Sequence, residues 1–404
     1  MSAHKWLFAP RFRRNAFGWK SDLPIRRIKE ALTEIKQTAR KEPILGAEGA
    51  ITLLEKLSPA LMHVDSSSGA LGSAVNRAIE TLVPIIIKPD VDAKTRQRWL
   101  DRLWAAVQED EMPYIETLGD FWGELCVTKE LASRWADEFL PTVKRVWSPL
   151  EPGHGYFRGT TACLSALYSA GRHEELLALL ETARHKHWHD RRWGVKALLA
   201  VGNSAQALNY AESMRGGNQP DTQIAQICEE ILLASGLAEV AYQRYAIEAN
   251  QSTTNQATFR AVAKKYPDKA AVDILNDLVQ SQPGAEGKWF AAAKEAGLFD
   301  AALELAGRSP TDPRTLARAA RDYAVERPGF AVNAGLMALY WIASGHGYDI
   351  TGIDVLDAYD AVMQAGRAAG MEDVLTKGHV RQLIDGCPAN GDFVRKVLAR
   401  QLAG

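Results

Sequence analysis

The sequence has few cysteines, little net charge and no long apolar run, and each shortage excludes a class of protein. Its four cysteines, Cys126, Cys163, Cys228 and Cys387, show no CxxC spacing, which excludes a disulfide framework and a zinc ribbon. A net charge of −1 over 404 residues gives no overall field toward nucleic acid or a membrane. No run approaches the roughly 18 apolar residues that span a bilayer, and Pro84 interrupts the best stretch. Because the N-terminus also lacks an apolar leader, we expect a cytoplasmic protein with reduced, buried thiols.

Glycine and proline recur at a regular interval in the second half of the chain. The residues that interrupt apolar helices there are Gly171, Gly202, Gly236, Pro267, Gly297 and Pro328. Their separations are 31, 34, 31, 30 and 31 residues. A helix pair of this length cannot bury both of its apolar faces alone, so successive copies must stack. The spacing therefore predicts antiparallel helix pairs that turn near each of these positions.

Large and small residues alternate around the breakers. A bulky residue lies eight or nine positions before the breaker at Trp193, Phe259 and Trp289, with Cys163 and Cys228 at the equivalent place. A small residue lies five positions after it at Ala207, Ala241 and Ala302, whereas Leu176, Val272 and Asn333 occupy that place in the other copies. Such pairing lets neighbouring helices approach closely. We therefore expect the tryptophans to be buried between helix pairs.

In these features, residues 155–345 resemble the tetratricopeptide-repeat superfamily. That family's pattern has an early Trp, a Gly near the end of the first helix and Ala in the second helix. The resemblance implies stacked helical hairpins and a protein that binds other macromolecules, but it transfers no individual binding residue. The chain also resembles a bacterial family of similar length, which implies no function.

The first half is helical without the 31-residue step. Apolar residues at helical spacing, as in Leu131, Trp135, Phe139 and Val143, predict helices of about 14–20 residues joined by short loops. No segment alternates in the way that a strand requires. The sequence thus predicts an all-α protein, an α-solenoid of stacked antiparallel helix pairs, irregular and HEAT-like in its N-terminal half and TPR-like in its C-terminal half.

Four segments follow from these patterns. They are a basic aromatic arm at 1–23, an irregular stack at 24–150, the repeats at 151–345 and capping helices at 346–404. The Pro- and Gly-rich stretch 148–155 is the expected boundary between the two middle segments.

The arm is the strongest local anomaly in charge. Residues 1–42 hold eleven lysines and arginines against four acids, a local charge of +7. Five aromatic residues alternate with the cations, namely Trp6, Phe8, Phe12, Phe17 and Trp19. This mixture could bind phosphates and stack on bases. In the alternative, which we expect, the rings pack on the first helices and the cations stay in solvent.

Two further clusters are candidate sites with simpler interpretations. His185, His187 and His189 invite a metal interpretation, but alternate residues share a face only in an extended segment, so a solvated basic loop is favoured. The aspartates Asp354, Asp357 and Asp360 are spaced by three and indicate a solvated helix face rather than a catalytic pair. With no catalytic motif, we expect no enzymatic activity and no cofactor or metal.

The first helix of each pair is expected to line a concave surface, as the resemblance implies. The candidate partner-binding residues are Arg11, Arg13, Arg14, Arg158, Arg192, Lys196, Arg260, Lys264, Lys288, Arg314 and Arg318. Their charge favours an acidic protein partner, although Glu229 and Glu230 interrupt it. The predicted function is therefore a non-enzymatic scaffold that binds a protein and no membrane. A nucleic-acid-binding solenoid is the alternative, and its affinity would fall steeply with salt.

Overall fold

The structure is a computed structural model that describes residues 4–148, 156–387 and 390–403. These residues form 22 α-helices and three short 3-10 helices and contain no strand. The chain divides into two compact units, Met1–Pro220 and Asp221–Gly404. This division lies inside the segment that was expected to hold the repeats. Apart from Ser148, the expected boundary at 148–155 lies outside the described residues.

Unit 1 contains the first ten helices. They are α1 (Asp22–Lys41), α2 (Pro43–Leu61), α3 (Ala70–Ile87), α4 (Ala93–Gln108), α5 (Trp122–Cys126), α6 (Lys129–Trp147), α7 (Thr160–Ser169), α8 (His173–Thr182), α9 (Trp188–Ala200) and α10 (Ser204–Glu212). Neighbours in sequence pack on one another, as α1 does on α2, α6 on α7 and α9 on α10. Their apolar faces meet in one continuous core that extends from the N-terminal arm to α9.

One helix of unit 1, α3, is long and apolar enough to cross a membrane by length and composition. The helix continues through Pro84, which was expected from the sequence to interrupt it. Leu71, Val75 and Ile79 on this helix are buried in the core of unit 1. A core helix meets the same length and composition criterion.

Unit 2 contains the remaining helices. They are α11 (Asp221–Ala234), α12 (Ala238–Ala249), α13 (Asn255–Lys265), α14 (Ala271–Gln280), α15 (Phe290–Glu295), α16 (Phe299–Arg308), α17 (Pro313–Asp322), α18 (Pro328–Ala343), α19 (Gly352–Ala368), α20 (Asp373–Asp385), α21 (Gly391–Val397) and α22 (Ala399–Leu402). Successive helices again pack as pairs, with α18 in contact with both α17 and α19. Each unit is therefore a stack of antiparallel helix pairs, and the predicted all-α class is confirmed.

Five of the six predicted turn positions lie between two helices, and the sixth, Pro328, begins a helix. The four glycines among them have φ between 74° and 81°, the left-handed region that a residue with a Cβ atom rarely adopts. Pro267 lies between α13 and α14, and Pro328 is the first residue of α18, where a missing N–H costs nothing. Connections this short force the second helix to run back along the first.

The predicted burial of the tryptophans is confirmed. Trp193 and Trp289 are 3% and 1% exposed. The small residues Ala207, Ala241 and Ala302 are fully buried. Both the large and the small residues are therefore part of the core of their unit.

The four cysteines are buried and form no disulfide within the described residues, as expected from their spacing. Burial raises the pKa of the Cys126 and Cys163 thiols to about 12. The reactive thiolate is therefore scarce at neutral pH, and these residues act as small apolar groups of the core.

Candidate functional site

The aromatic residues of the arm are part of the core of unit 1. Trp6, Phe8, Phe12 and Phe17 are all buried, and the rings of Phe12 and Phe17 meet edge to face at 5.5 Å. The Glu34 carboxylate on α1 accepts hydrogen bonds from the backbone N–H groups of Leu7 and Phe8, at 2.7 and 3.1 Å. The arm is therefore held by both apolar burial and hydrogen bonds.

A glycine on α2 makes room for the arm. A Cβ atom built on Gly49 would lie 2.3 Å from the Trp6 ring, so the indole occupies space that any larger residue would fill. Trp19, in contrast, is 72% exposed. The expectation that the aromatic rings pack on the first helices holds for Trp6 but is wrong for Trp19. Trp19 comes after Phe17, which is the last ring of the arm to reach the core.

This difference gives a matched test of the arm. Trp6→Ala is expected to lower the free energy of unfolding by about 1.5–3 kcal/mol, because it returns a buried indole to water. Trp19→Ala removes the same group from the surface and is expected to change it by less than about 0.5 kcal/mol. Thermal melts of the two variants beside the wild type give the comparison. Equal losses from both substitutions would contradict the docking of the arm.

Two of the three predicted arginines of the arm are paired with carboxylates. Arg11 pairs with Glu30 at 2.7 Å, and Arg14 pairs with Glu111 at 3.2 Å. Arg13 is exposed and forms no ion pair with any residue that the structure describes. The +7 charge counted along the sequence is thus partly cancelled in space, and only Arg13 of the three predicted arginines is available.

The predicted cations of the first repeats are also engaged. Arg158 donates to the carbonyl oxygens of Val107 and Gln108, both at 3.1 Å, and so caps the end of α4. Arg192 pairs with Asp120. The Lys196 ammonium lies 4.2 Å from the centre of the Trp193 ring, a cation–π contact.

The remaining predicted residues belong to unit 2. Arg260 pairs with Glu295, whereas Lys264 and Lys288 are exposed. Glu229 was expected to interrupt a basic surface, but it is fully buried and holds an internal network. That expectation is wrong, because position 229 faces α12 and α13 rather than solvent.

The three histidines lie beside a cleft of about 670 Å³ in unit 1. Its lining comes from the turn before α5, the end of α6, the start of α7 and the segment before α9. The aromatic wall consists of Trp147, Tyr156 and Phe157. His189 is bonded to the hydroxyl of Thr161 at 3.1 Å. Within the described ranges no three His, Cys, Asp or Glu side chains converge as metal ligands, and His189 lies in the first turn of α9.

A second groove, of about 610 Å³, lies in unit 2 between α17 and α19, with Ile342 of α18 among its lining residues. We call it the arginine–aspartate groove. Its charged lining residues are Asp312, Arg314, Arg318, Arg321, Asp354, Asp357 and Asp360, and its uncharged ones are Pro313, Ala317, Ile342, Ala361 and Gln364. Because α17 and α19 are each antiparallel to α18, they run in the same direction, and their two charged rows lie side by side.

The groove is closed at one end by an ion pair. Arg314 donates to both carboxylate oxygens of Asp354, at 2.6 and 3.0 Å, and to the carbonyl oxygen of Asp349 at 2.9 Å. Asp354 also accepts hydrogen bonds from Thr351 and completes the cap of α19. The hydrogen bonds from Arg314 make the largest contribution to holding the pKa of Asp354 below its usual range, and those from Thr351 lower the pKa further. This end of the groove is therefore structural.

Farther along, the two rows do not meet. Arg318 bonds only within its own helix, to the Arg314 carbonyl oxygen and the Thr315 hydroxyl, both at 3.2 Å. Arg321 pairs with its exposed neighbour Asp322. No ion pair among the described residues joins either arginine to Asp357 or Asp360 across the groove. Facing charges of opposite sign are thus left to solvent.

Two of the residues that line this groove were candidates from the sequence, but the groove itself was not predicted. Arg314 and Arg318 were candidate partner-binding residues, whereas Arg321 was not. Asp357 and Asp360 were assigned to a solvated face, which agrees with their exposure, but their position opposite the arginines was not foreseen. The spacing of Arg314, Arg318 and Arg321 by four and then three residues is visible in the sequence, but the packing of α17 beside α19 is not.

Comparison with known proteins assigns the chain to no family. No family model matches the chain, and no curated protein matches it. Among solved structures, one similar chain is described as a "Circular tandem repeat protein with novel repeat topology and enhanced subunit contact surfaces". It is 14% identical, with 93% of this chain and 82% of that chain covered at a TM-score of 0.14. At that score the likeness carries no argument, and the fold assignment rests on the helices described above.

Proposed function

We propose that this helical-repeat scaffold is a cytoplasmic, non-enzymatic protein that binds a segment of a partner protein. The observation that carries the proposal is the open part of the arginine–aspartate groove, where Arg318, Arg321, Asp357 and Asp360 face a common space without cross-groove partners. Such a surface can form charge-assisted hydrogen bonds with a second chain at little cost in internal structure. The resemblance to tetratricopeptide repeats supports the same function.

A protein partner is favoured over nucleic acid for an electrostatic reason. Phosphate binding depends on several cations acting together along a stripe. Here Arg11, Arg14, Arg192 and Arg260 are paired with carboxylates, and the open arginines face aspartates that would repel a phosphate backbone. The aromatic residues that would stack on bases are mostly buried.

A photo-crosslinker placed in the groove tests the proposal. With p-benzoylphenylalanine at the exposed groove residue Gln364, we expect a specific protein adduct in a lysate of the source cells, resistant to nuclease. The same group at exposed Lys129, in unit 1, is the matched control and should give no such adduct. Arg318→Ala combined with Asp357→Ala should reduce the adduct. An adduct that nuclease removes, or none specific to Gln364, would contradict the proposal.

A further inference from the structure

We propose that the arginine–aspartate groove binds a helical segment of mixed charge, with acidic residues on the flank that faces α17 and basic residues on the flank that faces α19. This inference rests on the proposed function and names the chemistry of the partner. The proposed occupant differs from the acidic partner that the candidate cations in the sequence favour.

The sign of the occupant follows from the charges of the two walls. Three arginines and four aspartates line the groove, so its total charge is close to zero. An acidic segment would gain from Arg318 and Arg321 but would be repelled by Asp357 and Asp360 opposite them. A basic segment would be attracted by Asp357 and Asp360 but repelled by Arg318 and Arg321. Only a segment with both signs, one on each flank, is attracted by both walls.

The open part of the two rows is about one helical turn long. Arg318 and Arg321 are three residues apart on α17, and Asp357 and Asp360 are three residues apart on α19, so the open stretch of each row is about 4–5 Å long. A helix presents residues i and i+3 along one flank over about the same distance. The Arg314–Asp354 pair closes one end, so the segment reaches no farther than that pair.

The floor of the groove suits a close approach. Ala317 lies between the arginines of α17, and Ala361 follows Asp360 on α19. Their short side chains leave the space that longer residues would fill, whereas Ile342, which is 1% exposed, adds almost no surface of its own. An apolar ridge on the incoming helix can therefore lie between the two charged flanks, as in other helix-in-groove complexes.

The wall charges are available for this purpose. The hydrogen bonds of Arg318 are made to its own helix at 3.2 Å, and the pair between Arg321 and Asp322 is well exposed. Exposed pairs of this kind contribute little and exchange readily with a new partner. Asp357 and Asp360 are exposed on α19.

The test uses the full chain and three fluorescent 14-residue peptides that share a leucine ridge. One carries glutamates on one flank and lysines on the other, the second carries only glutamates, and the third carries only lysines. By fluorescence anisotropy, the mixed peptide should bind about tenfold more tightly than either of the others, since both of its flanks pair with a wall. Equal binding of all three, or tightest binding of a single-sign peptide, would overturn the proposal.

Neutralising one wall at a time should change the preference. Asp357→Asn with Asp360→Asn should make the all-glutamate peptide the tightest binder, and Arg318→Gln with Arg321→Gln should do the same for the all-lysine peptide. All four side chains are exposed, so melting temperatures should match the wild type. An unchanged order of affinities in both variants would overturn the inference.

The two proposals fail in different ways. If Gln364 crosslinks to a protein but the captured segment carries charges of one sign, the mixed-charge inference is wrong while the partner-binding function stands. If the mixed peptide binds with the expected order but no partner is captured at Gln364, the groove chemistry stands and the proposed function is wrong.

Discussion

Trp289→Ala is expected to lower the free energy of unfolding by about 3–5 kcal/mol, because it leaves a cavity in a closely packed core. The indole is 1% exposed and ends a 3-10 helix, Glu286–Trp289, that leads directly into α15. The backbone here is also tightly fitted, since a Cβ atom on Gly287 would lie 2.2 Å from the Thr311 hydroxyl. The site therefore has little freedom to collapse around a smaller residue.

Urea denaturation followed by circular dichroism measures the loss. The variant should unfold at a lower urea concentration than the wild type. Trp289→Phe keeps part of the ring and should cost less than alanine. Trp19→Ala, at an exposed indole, is the control for the loss of a tryptophan as such. A Trp289→Ala variant as stable as that control would show that the repeats do not depend on this residue.

Glu229→Ala is expected to cost a similar amount, about 3–5 kcal/mol, for an electrostatic reason. The carboxylate is fully buried. It accepts hydrogen bonds from the Asn250 amide at 2.8 Å, the Tyr266 hydroxyl at 2.6 Å and the Lys265 ammonium at 2.6 Å. Burial, together with the neighbouring Glu229 charge, raises the pKa of Tyr266. Removing the carboxylate takes the acceptor from the buried Tyr266 hydroxyl and the partner charge from Lys265, while the Asn250 amide keeps its bond to the Ala246 carbonyl oxygen.

The adjacent residue provides the control. Glu230 is exposed, so Glu230→Ala makes the same chemical change next to Glu229 and should alter stability by no more than about 0.5 kcal/mol. Glu229→Gln keeps the shape and loses the charge, and it should fall between the two. Denaturation curves of all three variants give the order. If the alanine variants at 229 and 230 are equally stable, the buried network does not hold α11, α12 and α13 together.

Several elements of the fold could be predicted because their causes are local. A glycine in the left-handed region ends a helix whatever surrounds it, so Gly171 or Gly297 marks a turn from sequence alone. An apolar face repeats every 3.6 residues in any amphipathic helix, which is why the burial of Trp193 and Trp289 followed from their spacing. The exposure of Trp19 could not be predicted in this way, because no helical periodicity applies to the arm.

What the sequence by itself determined is the helix pair and its repetition, whereas the tertiary structure decided which charges remain free. Arg192 is neutralised by Asp120, 72 residues away, and Arg314 by Asp354, 40 residues away. Such pairs depend on which helices become neighbours and in what register, and no local pattern encodes either. Glu229 was counted as a surface acid and proved to be buried for this reason. The same physics placed the open arginines of α17 opposite the aspartates of α19, because α18 holds the two helices side by side and their charged faces are open to solvent across the groove.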